Sequence, residues 1–344
     1  MGLLAGQGRR EVAPPAADRD LLETFHAAEY LDALLESGAG RWTHEALSMG
    51  IGGPDTPVFK GMYEYGALAA GASVYGADLL LSGDADIVFN PSGGLHHAGP
   101  ARASGFCYIN DVAIACQYLA SKGKRVLYLD VDVHHGDGVQ DAFYDQNNVM
   151  TISLHETGRA LFPGTGFENE IGTGEGEGYA VNIPLPPGTF NEPYLRCFEE
   201  IVVPLIGAYN PDIMVLELGA DALAGDPLAH LKLTNTTYKT ILQRLLEFEK
   251  PLLMTGGGGY NVDNTVRAWA FAWSVVNGDH DDMESMNFGL GGVMLESTDW
   301  MAGLQDRELP VSEEQKQSVE PLVDKAIARI KELVFPFHGL NRQD

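Results

Sequence analysis

The apolar run Arg125-Val126-Leu127-Tyr128-Leu129, bounded by Lys122-Gly123-Lys124, reads as a buried strand. It empties into Asp130-Val131-Asp132-Val133-His134-His135-Gly136-Asp137-Gly138. In an extended chain alternate side chains share a face, so Asp130, Asp132 and His134 point the same way. Two carboxylates and an imidazole make a poor core. They make a good divalent-metal site, because carboxylate oxygens and a neutral imidazole nitrogen suit zinc or ferrous iron. An isolated D-x-D segment is ordinarily a solvated strand end, but the additional His135 and Asp137 argue against that here.

Apolar runs of strand length alternate with helical patterns through most of the chain. Strands are expected at 86–90, 126–133, 149–154, 213–218 and 251–255, and helices at 61–81, 110–121, 191–209 and 236–248. This alternation predicts an α/β fold, a mostly parallel, multi-stranded sheet covered by helices on both faces. No repeat or Pro- or Ser-rich linker divides the 344 residues, so a single domain over 1–344 is expected. An amphipathic stretch at 311–333 reads as a C-terminal helix packed on the body or on another subunit, which leaves an oligomer open.

Ligands of such sheets bind beyond the carboxyl ends of the strands. Four strand ends carry polar, glycine-rich segments: Pro91-Ser92-Gly93-Gly94-Leu95-His96-His97, the D-x-D-x-H run, Gly219-Ala220-Asp221, and Gly256-Gly257-Gly258-Gly259-Tyr260. Asp132 and His134 are the first two metal ligands to choose, and Asp221 is the natural third, although an Asp there also suits a helix cap. His96 and His97 are candidates for proton transfer, with Asp130 and Asp137 available to fix their tautomers. Tyr260 offers a phenolic hydroxyl to a developing oxyanion.

Charge and cysteine usage narrow the classes further. Lys and Arg total 22 against 48 Asp and Glu, a formal net charge of -26, which disfavours nucleic acid as a partner. It suits a cationic substrate, or simply dispersal of the protein in solution. Three cysteines, Cys107, Cys116 and Cys197, do not make a disulfide framework in a chain of this length, and a reducing cytoplasm is the expectation. No run approaches the roughly 18 apolar residues a membrane helix needs.

The segments Gly94-Leu95-His96-His97-Ala98, Gly105-Phe106-Cys107-Tyr108-Ile109-Asn110-Asp111, 130–138, Phe162-Pro163-Gly164-Thr165-Gly166, Gly219-Ala220-Asp221 and 256–260 resemble those of metal-dependent histone deacetylases, in family order, from Ala16 to about Gly278. The nearest likeness is to the class I-like bacterial branch that includes acetoin-utilisation deacetylases, with the arginase/deacetylase fold. The resemblance implies a hydrolase that removes acetyl from acetyl-lysine of a protein or peptide, using zinc or ferrous iron. Asp132, His134 and Asp221 would hold the metal. His97, backed by Asp137, would be general base and then acid, His96, backed by Asp130, would act electrostatically, and Tyr260 would polarise the acetyl carbonyl. Phe106 and Phe162 would line a tunnel, Gly105 would offer its carbonyl to the amide N–H, and Asp55 would hold the substrate backbone from the rim. Structural potassium is also implied, one ion among Asp130, Asp132, His134, Ser153 and Leu154, a second among Phe143, Val149 and Tyr179. The family's opening strand and helix, with a buried arginine, find no match ahead of Met1-Gly2-Leu3-Leu4.

Three other functions remain to be weighed. An acetylpolyamine amidohydrolase shares the chemistry, but tends to carry an acidic gatekeeper where Leu228 stands here. A ureohydrolase needs two metals and more bridging carboxylates than the sequence displays. A non-enzymatic acetyl-lysine reader would have no use for the complete catalytic set.

Overall fold

The computed structural model describes residue 6, residues 8–278 and residues 303–341. The segment Met1-Gly2-Leu3-Leu4, ahead of which the family's opening strand and helix were expected, lies outside the described residues. Six strands form one sheet: β1 (Ile87–Asn90), β2 (Val126–Asp130), β3 (Val149–Glu156), β4 (Ala180–Leu185), β5 (Ile213–Glu217) and β6 (Leu252–Thr255). They lie in the order β1-β6-β5-β2-β3-β4 and every pairing is parallel. The α/β reading of the sequence is therefore the observed fold.

A parallel sheet is buried on both faces, and alternation along each strand sorts its side chains between two cores. On one face Leu127 and Leu129 pack with Met150, Ile152, Met214, Leu216, Leu252 and Met254. On the other, Val126 and Tyr128 pack with Val149, Ile213, Val215 and Leu253. The alternation outlasts the strand. The strand β2 ends at Asp130, short of the expected residue 133, yet the Val131 N–H still bonds the Glu217 carbonyl at 3.1 Å, the Val133 carbonyl accepts the Glu156 N–H at 2.8 Å, and Val131 and Val133 join the first core. Their neighbours Asp130, Asp132 and His134 are thereby left to the opposite side.

The long helix Met62–Ser82 and the helix Asp111–Ser121 cover one face of the sheet. The other is covered by 191–209, a run of α, π and α turns, together with Asn235–Leu246 and Val262–Val276. The C-terminal helix spans Glu313–Val334, close to the expected 311–333, and packs on the body. Its Val319, Val323, Ile327 and Ile330 share the core of β4, so it flanks the β4 edge of the sheet.

The sequence reading missed β4. Its Pro184 breaks a run that otherwise reads as strand, and proline is tolerated because β4 is an edge strand pairing only with β3. The helices Ala28–Gly38 and Val262–Val276 were also passed over.

Candidate active site at the carboxyl ends of the strands

β5 pairs with both β2 and β6, and Asp130 stands opposite Glu217 in the β2–β5 register. The segments leaving these two strands therefore run side by side. They bring Asp132 and His134 against Asp221, with one donor atom from each within 4.8 Å of the others. All three are buried, at 1%, 8% and 0% exposure. His134 Nδ1 lies 3.0 Å from Asp132 Oδ1 and 3.1 Å from Asp221 Oδ2.

Backbone amides fix both carboxylates. Asp132 Oδ1 accepts the His134 N–H at 2.8 Å, Asp132 Oδ2 accepts the Gly258 N–H at 2.8 Å, and Asp221 Oδ1 accepts the Val133 N–H at 3.0 Å. Position 258 has no room for a side chain, because a Cβ there would sit 2.0 Å from Asp221 Oδ2.

Electrostatics make this cluster short of positive charge. Burial and the neighbouring Asp132 push the Asp221 carboxyl up to about 7. Burial opposes a charge on His134, but its bonds to Asp132 and Asp221 outweigh that and raise the imidazole to about 11. A proton on Nδ1 between two carboxylates stands where a cation would satisfy all three donors. One nitrogen and carboxylate oxygens converging in a buried pocket fit zinc or ferrous iron.

β1 delivers the tandem histidines. His96 Nδ1 lies 2.9 Å from Asp130 Oδ2, and His97 Nδ1 lies 2.7 Å from Asp137 Oδ1. Each carboxylate holds a proton on the Nδ1 it faces, which leaves the two Nε2 atoms, 3.0 Å apart, to share one more. Burial disfavours charge on His96, but Asp130, with Asp132 and Asp137 beyond, raises it to about 9. Burial and the adjacent His96 lower His97 to about 4, against the pull of Asp137. His96 is thus the cationic ring, and His97 the neutral one able to take a proton.

Above the dyad, Gly105 has φ of +52°, and a Cβ there would meet His97 Cδ2 at 2.3 Å and Phe162 Cε1 at 2.9 Å. The Phe162 ring centre lies 5.0 Å from that of His97, and Phe106 stands edge to face with Tyr260 at 5.6 Å. Phe106, Phe162, Leu228 and Tyr260 are all partly open to solvent, at 49%, 43%, 42% and 36%. Apolar rings thus lead from the surface to the histidines. Asp55 Oδ2 accepts the Gly105 N–H at 3.0 Å, while the Gly105 carbonyl accepts a weak bond from the Cys107 thiol at 3.3 Å. Burial, with the charges of Asp132 and Asp221, raises the Tyr260 phenol and keeps it protonated.

The residues expected around potassium lie deeper. Asp130 faces Ser153 in the β2–β3 register with Leu154 next in β3, and Ser153 Oγ is 2.9 Å from His155 Nδ1. Phe143 and Val149 belong to the core, and the Tyr179 carbonyl already accepts the Thr151 N–H at 2.9 Å.

Two buried acids escaped the sequence reading. Glu217 closes an apolar strand, so its pattern signalled nothing. Its Oε2 accepts the Gly219 N–H at 3.0 Å, and its Oε1, 4.0 Å from His96 Nδ1, has no hydrogen-bond partner among the described residues. Burial and the charges of Asp132 and Asp130 drive its carboxyl well above the ordinary range. With His96 and Asp132 it forms a second group of converging donors. Both His96 nitrogens are already engaged, by Asp130 and His97, so this group offers no free imidazole to a second ion. Asp226, nine per cent exposed, lies beneath the mouth. A G-D-P turn gives little hint of that position.

Residues 3–276 match the histone deacetylase domain. The chain is 43% identical over 275 residues to the acetoin utilization protein AcuC of Bacillus subtilis, covering 78% of this chain and 71% of that protein. It is 40% identical over 271 residues to histone deacetylase 8 of Xenopus tropicalis, covering 78% and 73%. Among solved structures, a histone deacetylase homologue from Aquifex aeolicus superposes with a TM-score of 0.76 at 33% identity, over 91% of this chain and 87% of that one. A histone deacetylase homologue complexed with SAHA superposes with a TM-score of 0.77 at 34% identity, over the same shares.

Proposed function

Because this chain belongs to the histone deacetylase family, a family of metal-dependent hydrolases, we propose that it removes acetyl groups from lysine side chains of a protein or peptide. The observation that carries the reading is one buried cluster, Asp132, His134 and Asp221, beside a pair of histidines each backed by its own carboxylate.

Asp132, His134 and Asp221 would hold a divalent ion, which would supply Lewis acidity to the acyl oxygen and the attacking water near neutral pH. His97 takes the proton from the attacking water and returns it to the departing lysine amine. Asp137 holds the His97 ring in the tautomer protonated on Nδ1, which leaves Nε2 as the basic nitrogen. His96, cationic and bound to Asp130, stabilises negative charge without moving a proton. The Tyr260 hydroxyl, kept protonated by its surroundings, donates to the oxyanion.

Phe106 and Phe162 grip the four methylenes of the lysine, and Leu228 shapes the mouth. Gly105 accepts the amide N–H through its carbonyl. The second oxygen of Asp55, not used by Gly105, receives the substrate backbone. Potassium at the Asp130–Ser153–Leu154 and Phe143–Val149–Tyr179 positions would stiffen the strand ends beneath the site, and a reducing cytoplasm suits the three buried, unpaired cysteines.

An acetylated polyamine is the competing substrate, favoured by the net charge of -26. Initial rates on an acetyl-lysine peptide and on acetylputrescine, with zinc or ferrous iron restored, decide between them. Preference for the peptide supports the proposal, and preference for acetylputrescine replaces it.

A further inference from the structure

The two loops at the mouth that carry Leu228 and Tyr260 leave different strands, β5 and β6, yet one carboxylate binds both. Asp226 Oδ1 accepts the Leu228 N–H at 2.9 Å. Its Oδ2 accepts the Tyr260 N–H at 2.8 Å and the Asn261 N–H at 3.3 Å. Nothing in a generic turn requires one buried acid to receive three amides from two loops. Charge-assisted bonds of this kind are about twice as strong as neutral ones. Asn261 caps the helix Val262–Val276, so the carboxylate also sits where the helix end favours negative charge. The same seam carries weaker stitches, from Asn264 Nδ2 to the Ala224 carbonyl at 3.2 Å and from Asn261 Nδ2 to the Gly225 carbonyl at 3.4 Å.

Tyr260 needs such an anchor. It follows four glycines, the last with φ of +143°, and glycine backbone is the least self-constrained of any. Among the described residues its hydroxyl has no hydrogen-bond partner, and its ring makes one aromatic contact, with Phe106. The direction of the phenol is therefore inherited from the backbone that Asp226 holds.

We propose that Asp226 is a positioning residue for the deacetylation reaction: it locks the Tyr260 backbone so that the hydroxyl meets the oxyanion, and it sets Leu228 in register with it. This rests on the reading of Tyr260 as the oxyanion donor. A donor that must point at charge developing only in the transition state affects kcat rather than substrate binding.

The test is a double-mutant cycle in steady-state kinetics on an acetyl-lysine peptide, with metal-loaded wild type, Asp226→Ala, Tyr260→Phe and the double variant. Asp226→Ala is expected to lower kcat by about tenfold or more with KM changed by no more than about threefold. In the Tyr260→Phe background, where no hydroxyl remains to be placed, the same substitution should cost less than about twofold. Equal losses in the two backgrounds would mean that Asp226 only supports the fold, and would overturn the proposal. If Tyr260→Phe keeps full turnover, the oxyanion reading fails and the proposal falls with it. If Tyr260→Phe loses turnover and Asp226→Ala does not, the Asp226 role alone fails. Asp226→Asn, which preserves shape and one acceptor, replaces the alanine variant in the same cycle should that variant not fold.

Discussion

His97 Nδ1 lies 2.7 Å from Asp137 Oδ1, a shorter contact than the 2.9 Å between its neighbour His96 and Asp130. Each ring is locked by a different acid, and only His97 is neutral. The two histidines are therefore not equivalent. His97→Ala should cost more turnover than His96→Ala, within the roughly 10²–10⁴-fold that general acid–base groups contribute. Metal content measured on both variants should be unchanged. Near-normal turnover of His97→Ala would remove it from the mechanism.

Asp221 contributes one oxygen to the pocket while its other is tied to the Val133 N–H. Asp221→Asn keeps the shape and removes an anionic ligand, so metal content after dialysis should fall sharply. Full occupancy by elemental analysis would take Asp221 out of the ligand set.

Much of this site was legible because its residues break the pattern around them. Asp130, Asp132 and His134 interrupt an apolar run, and period-two alternation survives past the regular strand into residues 131–134. Glu217 hid for the opposite reason, as one acid closing an apolar strand, with its meaning fixed by the β2 register. Asp226 hid because its partners, Leu228 and Tyr260, meet only when two distant loops fold together. Pro184 concealed β4, since edge position, which makes proline tolerable, is a property of the sheet and not of the local sequence.

A third prediction concerns acid stability. His26 is buried, its Nε2 accepts the Asn110 N–H at 3.0 Å, and burial lowers its pKa from 6.5 to about 4. Between these values the unfolded chain binds a proton that the folded chain does not, so stability falls as pH drops through that window. The full effect is on the order of 3 kcal/mol. His155, lowered to about 3 by burial, adds in the same direction. His26→Gln retains an acceptor but does not titrate. Its loss of urea midpoint between about pH 7 and about pH 5 should be smaller than that of wild type. An identical loss would show that His26 does not contribute.

The account turns on a metal-dependent hydrolysis of acetyl-lysine at the Asp132–His134–Asp221 cluster. Acetate release from an acetyl-lysine peptide, followed through chelation and then readdition of zinc or ferrous iron, tests it most directly. The account predicts loss of turnover in the metal-free protein, with folding retained by circular dichroism, and recovery on readdition of about one ion per chain. Undiminished acetate release by protein shown to be free of metal would contradict it.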